Sequence, residues 1–419
     1  MSSDLFARDF KAAPYWWDEV PRPDLPRSEP PQQAEVVIVG SGYTGLQAAL
    51  QTARGGRHTV VLDAEAAGFG CSTRNGGQIS TSVKPGFDEL ARRHGRERAF
   101  AIMQEGRNSL RYIGDFVRDE GIDCDFGVVG RFHAAHAPGR YEELARSVGT
   151  QPKGLEVACH VVPRAEQRSE IGSDLYHGGV VYESHASINP ARYHQGLLQR
   201  VVAAGAELVP HCPATGIERV GQDFLVQTPR GTIRTREVVI ATNGYTGPLT
   251  GWLRRRVIPI GSYVIATEAL EPALVDKLIP KNRIVSDTRK VVYYYRASPD
   301  RRRILFGGRV SLSETDPRRS GPLLHAAMSG IFPELANRKI SHSWCGLVAY
   351  SFDELMHIGR HEGMHYAMGF SGHGVQHAPA AGRGVAELLV HGGYRAIDLS
   401  PLGYGRIRSG TPLVETIVY

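Results

Sequence analysis

Five cysteines among 419 residues, none at C-x-x-C spacing, give this chain no disulfide framework and no zinc or iron–sulfur ligand set. Their odd number and scatter (Cys71, Cys124, Cys159, Cys212, Cys345) fit a reducing compartment, so a cytoplasmic setting without a metal site is expected. Long apolar runs are absent too. Nothing approaches the roughly 18 apolar residues needed to cross a bilayer. Met1 to Asp18 mixes charges of both signs and has no apolar signal-peptide core. Lysine is scarce, at 7 of 49 basic residues, and the net charge is only +6. The densest basic runs, Arg254-Arg255-Arg256 and Arg301-Arg302-Arg303, are short and sit beside strand-like sequence. They read as solvated loops, and no nucleic-acid partner is expected. Repeats and low-complexity tracts are also missing. At 42% hydrophobic and 22% charged the chain is globular, and its length calls for two or three lobes.

What is present has α/β grammar. After a lead-in punctuated by Pro21, Pro23, Pro26, Pro30 and Pro31, Glu35 to Val39 is a continuous β-branched run of the kind buried in a parallel sheet. Leu46 to Arg54 reads as a helix and Thr59 to Asp63 as a second buried strand, completing a βαβ unit of about 30 residues. Helices are predicted over Glu89–Arg118, Asn189–Gly205 and Gln376–His391, and strands over Phe126–Ala135, Arg236–Thr242 and Met364–Phe370. Val257–Thr267, Val291–Arg296 and Ile304–Val310 alternate and are rich in tyrosine, as a separate, half-exposed antiparallel sheet would be.

Between the first strand and helix stands Gly40-Ser41-Gly42-Tyr43-Thr44-Gly45. In this context Gly40 permits the tight exit from the strand, Gly42 admits a pyrophosphate to the backbone, and Gly45 lets helix and strand pack closely. The helix N-terminus offers N–H donors and partial positive charge to phosphates. Asp63, 18 residues past Gly45, is placed to accept from a ribose hydroxyl and disfavours a 2′-phosphate. The turn alone does not separate FAD from NAD. The glycine-laden loop Gly68 to Gln78, with its single guanidinium at Arg74, suits close approach to a large planar ligand.

From here the sequence resembles the FAD-dependent D-amino-acid oxidase superfamily, and within it the gamma-glutamylputrescine oxidase-like branch. The matching stretches are Pro14-Tyr15-Trp16-Trp17, Tyr43-Thr44-Gly45-Leu46, Ser72-Thr73-Arg74-Asn75-Gly76-Gly77-Gln78 and Ala241-Thr242-Asn243-Gly244-Tyr245. They continue through Ser286-Asp287-Thr288-Arg289, Leu305-Phe306-Gly307-Gly308-Arg309 and Gly369-Phe370-Ser371-Gly372-His373-Gly374. The resemblance implies a Rossmann-type FAD-binding domain with an inserted antiparallel-sheet substrate domain, α/β within an α+β whole. The FAD domain is expected to comprise 34–88, 180–250 and 345–419, the substrate domain 89–179 and 251–344, and residues 1–33 an extended N-terminal segment. FAD is expected on Gly40, Ser41, Gly42, Thr44, Gly45, Asp63, Ala64, Ala214, Ala241 and Thr242. Its ring is expected beside Ser72, Thr73, Arg74, Asn75, Gly76, Gly77 and Gln78 on one edge and Gly372, His373, Gly374, Val375 and Gln376 on the other. Arg74 and His373 are the candidate catalytic residues.

Three positions depart from sarcosine-type relatives. Gly346 stands where those relatives tether FAD through a cysteine. With Cys345 one residue off, its side chain should face the other way, so non-covalent FAD is expected, with Cys71 the other possible tether. Gly77 and Gln376 replace the basic residues that hold a substrate carboxylate, which favours an amine or a larger conjugate over a simple amino acid. Arg303 to Arg309 has no lysine to activate O₂. Tyr263, Tyr294, Arg309 and Trp344, with Arg289 and Tyr293, are the candidates for a substrate wall. The expected reaction is oxidation of a C–N bond to an imine by hydride transfer to flavin N5, with imine hydrolysis and reoxidation by O₂ or another acceptor. An amino-acid dehydrogenase feeding a quinone or carrier, and a non-catalytic flavin-binding redox protein, are the alternatives.

Overall fold

The computed structural model describes residues 5–392 apart from 24, 26, 27, 312 and 313. Pro26 and the 393–419 end of the expected FAD-domain piece lie outside the described residues.

The β-branched run folds as the strand Gln33–Val39, its last four residues buried. It pairs in parallel with Thr59–Leu62 on one side and Gly231–Ile240 on the other, and Glu207–Val209 extends the parallel core. Met364–Met368 joins the far end of Gly231–Ile240 in parallel, carrying His357–His361 with it. Asp223–Thr228 and Gly216–Val220 complete an eight-stranded sheet as an antiparallel branch. Alternation divides its side chains. Val36, Ile38 and Val61 face the helices Tyr43–Arg54, Pro190–Ala203 and Gly374–His391, while Val37, Val39 and Val60 face a second cluster with Leu253 and Val257.

The other sheet has nine strands, running from Phe6–Lys11 through Ile340–Tyr350, Ile258–Thr267, Ile304–Gly308, Tyr294–Ala297, Ile284–Asp287, Arg131–Ala134 and Gly179–Tyr182 to Cys159–Val162. It departs from the expected half-exposed antiparallel sheet in two ways. Phe6–Lys11 and Ile284–Asp287 each make a parallel pairing. The strands are mostly buried on both faces, because the helices Pro272–Leu278 and Pro317–Ile331 and their core cover one face and a deep cavity opens on the other.

Other boundaries also moved. The helix expected over Glu89–Arg118 is two helices, Phe87–His94 and Arg96–Asp119, broken where Gly95 adopts φ 83°. The second packs against Gly374–His391 in the nucleotide-side core, not against the nine-stranded sheet. The expected boundary at 345 falls inside the strand Ile340–Tyr350. The strand expected over Phe126–Ala135 is only Arg131–Ala134. No described helix is long and apolar enough to cross a membrane.

Candidate active site

One connected cavity of about 2290 Å³ runs between the two sheets. That exceeds the roughly 300–1,000 Å³ of an ordinary small-molecule pocket, leaving room for a dinucleotide and a further ligand.

One end is a backbone cradle. Gly40 leaves the first strand at φ 106°, and a Cβ on Gly45 would stand 1.8 Å from the Gly40 carbonyl oxygen, so only glycine lets the helix seat here. Gly42 caps the helix in extended conformation and brings no side chain of its own to the turn, where Ser72 Oγ accepts from the Tyr43 amide at 3.0 Å. The Asp63 carboxylate accepts from the Ser41 amide at 2.8 Å and the Glu65 amide at 3.0 Å. From the helix Pro190–Ala203, His194 Nε2 donates to the Ser41 carbonyl at 2.8 Å, which places a proton on that nitrogen. Burial first holds that imidazole at about 4. Gly40, Ser41, Gly42, Thr44, Asp63, Ala64, Ala214, Ala241 and Thr242 all line the cavity, which fits a dinucleotide. Gly45 does not line it, because its work is the helix–strand contact.

The loop after the second strand is held by the N-terminal segment. Trp16 Nε1 donates to the Asn75 carbonyl at 2.9 Å and Trp17 Nε1 to Thr73 Oγ1 at 3.0 Å. Arg22 reaches the carbonyls of Ala66, Ala67 and Gly68. Arg74 donates Nε to the Phe69 carbonyl at 2.7 Å and Nη1 to the Cys345 carbonyl at 3.0 Å, and its guanidinium packs on Trp17 and Phe69. Its charge therefore shapes the loop from a fixed position. Ser72, Arg74, Asn75, Gly76 and Gln78 line the cavity, whereas Thr73 is buried beneath the loop. Gly77 is also off the wall. A Cβ there would meet the Ile188 carbonyl oxygen at 2.1 Å and Arg296 Nη1 at 3.0 Å, so no basic side chain fits at this position.

Gly372, His373, Gly374, Val375 and Gln376 form the wall opposite, where the helix Gly374–His391 begins. Burial first, then the charges of Lys84, His377 and Arg131, hold His373 well below the usual imidazole range. Gln376 is buried, its amide 3.5 Å from Ser80 Oγ.

The nine-stranded sheet supplies the rest. Tyr294 lines the cavity with its hydroxyl 2.8 Å from Ser262 Oγ, and Arg309 lies over the Tyr350 ring at 5.7 Å. Arg289 lines it too, paired with the buried Asp287. Three expected wall residues do not line it, and Tyr293 is one, packed against the far core beside Phe306. Tyr263 alternates with Ser262 and points into the far core with Ile265 and Phe306. Trp344 is buried among Tyr15, Trp16 and Val264, and its indole donates to the Arg74 carbonyl at 2.8 Å. Alternation also separates Cys345, packed in the far core, from Gly346, which lines the cavity. Of the residues with evident roles here, Arg22 and His194 carry no local signal in the sequence. Arg131 and His133 carried one unread signal, their i, i+2 spacing on a strand whose alternate residues are core.

The family model described as FAD dependent oxidoreductase (DAO) matches residues 35–388. The probable oxidoreductase OrdL of Rhizobium meliloti (strain 1021) is 34% identical over 90% of this chain and 88% of its own. Gamma-glutamylputrescine oxidoreductase of Escherichia coli (strain K12) is 32% identical over 85% and 83%. Among solved structures, glycine oxidase from Geobacillus kaustophilus superposes with a TM-score of 0.76 at 17% identity, over 90% of this chain and all of that one. The chain belongs to the DAO family of FAD-dependent oxidoreductases.

Proposed function

We propose that the protein oxidises the C–N bond of an amine or amine conjugate to an imine, which water then hydrolyses, with O₂ as the electron acceptor. The observation that carries this reading is the continuity of the cavity from the glycine cradle to a chamber at the Gly372–Gln376 turn, with neither Gly77 nor Gln376 offering a cation for an α-carboxylate. Similarity to gamma-glutamylputrescine oxidoreductase supports it. Bound FAD supplies the two-electron acceptor for the C–H bond beside nitrogen. The protein's own groups prepare that step. Lys84 and Arg309 line the cavity as cations, and their field, with desolvation, favours the neutral amine that oxidation requires. Arg74, locked to two carbonyls and two rings, holds the loop shape.

We take the FAD to be held without a covalent tether. Cys345 faces away, and burial pushes the Cys71 thiol up to about 11. The test of the reaction is anaerobic mixing of the FAD-loaded protein with amines, N-acyl diamines and N-methyl amino acids. Bleaching of the visible flavin band by an amine is expected, followed by peroxide on readmitting air. If no amine bleaches it, the reading fails; bleaching without peroxide would replace O₂ with another acceptor.

A further inference from the structure

One wing of the cavity plays no part in the cofactor cradle. It is lined by Ser80, Ser82, Lys84, Arg131, His133 and Ser286, which come from the segment after the flavin loop and from two adjacent strands of the nine-stranded sheet. Arg131 and His133 share the cavity face of their strand while Phe132 and Ala134 enter the core.

Cations nearby on the same sheet are paired with carboxylates. Lys281 and Arg283 meet the buried Glu170 at 2.6 Å each, and Arg289 meets Asp287. Arg131 has no acidic partner among the described residues. Its guanidinium lies 5.1 Å from the Tyr182 ring centroid and gives Nη2 to Ser82 Oγ at 3.3 Å, while its buried Nε bonds to nothing. Lys84 likewise has no ion pair among the described residues, and of the carboxylates lining the same cavity Asp287 is taken by Arg289 and Asp353 by His357. The surrounding histidines register the uncompensated charge. Burial first, then Arg131, hold His133 down at about 3 and His185 well below its usual range. A desolvated guanidinium with an orphan N–H is costly unless an anion reaches it.

We propose that Arg131, supported by Lys84, Ser82 and Ser286, forms a subsite for a carboxylate carried by the substrate at a distance from its reacting amine. This rests on the amine-oxidising reading and sharpens it. The substrate is an acid-bearing amine conjugate, and its acid is recognised from the Arg131 strand rather than at the Gly77 and Gln376 positions.

Two experiments separate the subsite from the reaction. Glutarate, a dicarboxylate that cannot be turned over, is titrated calorimetrically into FAD-loaded wild type, R131Q, R131K and K84Q. Binding to wild type is expected, weaker by about 10- to 100-fold in R131Q, partly restored in R131K and reduced only a few-fold in K84Q. No binding to wild type, equal binding to R131Q, or tighter binding of inorganic phosphate than of glutarate would overturn the carboxylate assignment. A mono-N-succinyl diamine is then compared with its mono-N-acetyl counterpart as anaerobic reductant. The succinyl compound should be preferred in kcat/KM by about 10- to 100-fold in wild type, through KM, and the preference should collapse in R131Q. If neither compound reduces the flavin, the reaction proposed above is wrong while the glutarate titration still decides the subsite.

Discussion

The two ends of the cavity are built in different ways. The cradle at Gly40–Gly45 is made of backbone, its shape set by side chains that are missing, and its residues lie within one βαβ unit. The wing around Arg131 is made of side chains gathered from residues more than 200 positions apart, with Ser80 and Ser286 in one wall. A backbone cradle tolerates no added atom, whereas a side-chain wall can change its residues and keep its shape. The first holds a cofactor common to a family, and the second is where one member can differ from another.

The sharpest way to break this contrast is G45A. The new Cβ overlaps the Gly40 carbonyl, so a cost of around 3 kcal/mol and loss of most bound flavin are expected. A wild-type ratio of flavin to protein after purification would contradict the cradle account.

Next in size is the acid sensitivity of two buried histidines, one under the cradle and one in the helix Gly374–His391. His194 and His377 are each held at about 4, with burial the leading cause. The unfolded chain therefore binds protons that the folded one refuses, and stability falls as pH drops from about 6.5 towards 4, on the order of 3 kcal/mol for each such histidine. Thermal melts across that range should show the fall, with a smaller slope in H377Q. A flat profile would mean that these rings are not buried neutral.

The N-terminal strap comes third. R22Q should weaken FAD binding by about 10- to 100-fold and R22K should recover part of it, measured by fluorescence titration of the apoprotein with FAD. Affinity unchanged in R22Q would detach the strap from the cofactor loop.

A smaller effect distinguishes the two faces of the nine-stranded sheet. Tyr294 lines the cavity and Tyr263 does not. Y294F should raise KM a few-fold while Y263F leaves KM alone and costs about 1 kcal/mol of stability. The reverse pattern would invert the assignment of the sheet faces. The smallest expected effect is none: C71A and C345A should both release yellow flavin on acid precipitation, as wild type does.

How much of this was legible depended on the range of the interaction. The turn at Gly40, the strand before it and Asp63 follow from local rules, so their places could be read directly from spacing. Asn189 was similarly legible as the start of a helix, and it caps Pro190–Ala203 by accepting from Ala191 and Arg192. The one-residue slip at Cys345 predicted the facing of that side chain, and the strand placed it so. Tyr263 misled because alternation gives two faces and the sequence does not say which is the core, both being mostly apolar; Trp344 shares the face of Gly346 but is covered by Tyr15 and Trp16 from the N-terminal segment. Arg22, His194 and Arg131 depend on contacts across the chain, which spacing does not reveal. Gly95 divided a helix whose periodicity continued on either side of it.

The central claim is that a backbone cradle holds FAD at one end of a cavity whose other end selects an amine by its side chains. The most direct measurement is rapid anaerobic reduction of FAD-loaded wild type and R131Q by a mono-N-succinyl diamine over a range of concentrations. The account predicts that wild type bleaches with saturation, and that R131Q reaches a similar limiting rate only at about 10- to 100-fold higher concentration. A flavin that stays oxidised, or identical saturation curves for the two proteins, would contradict it.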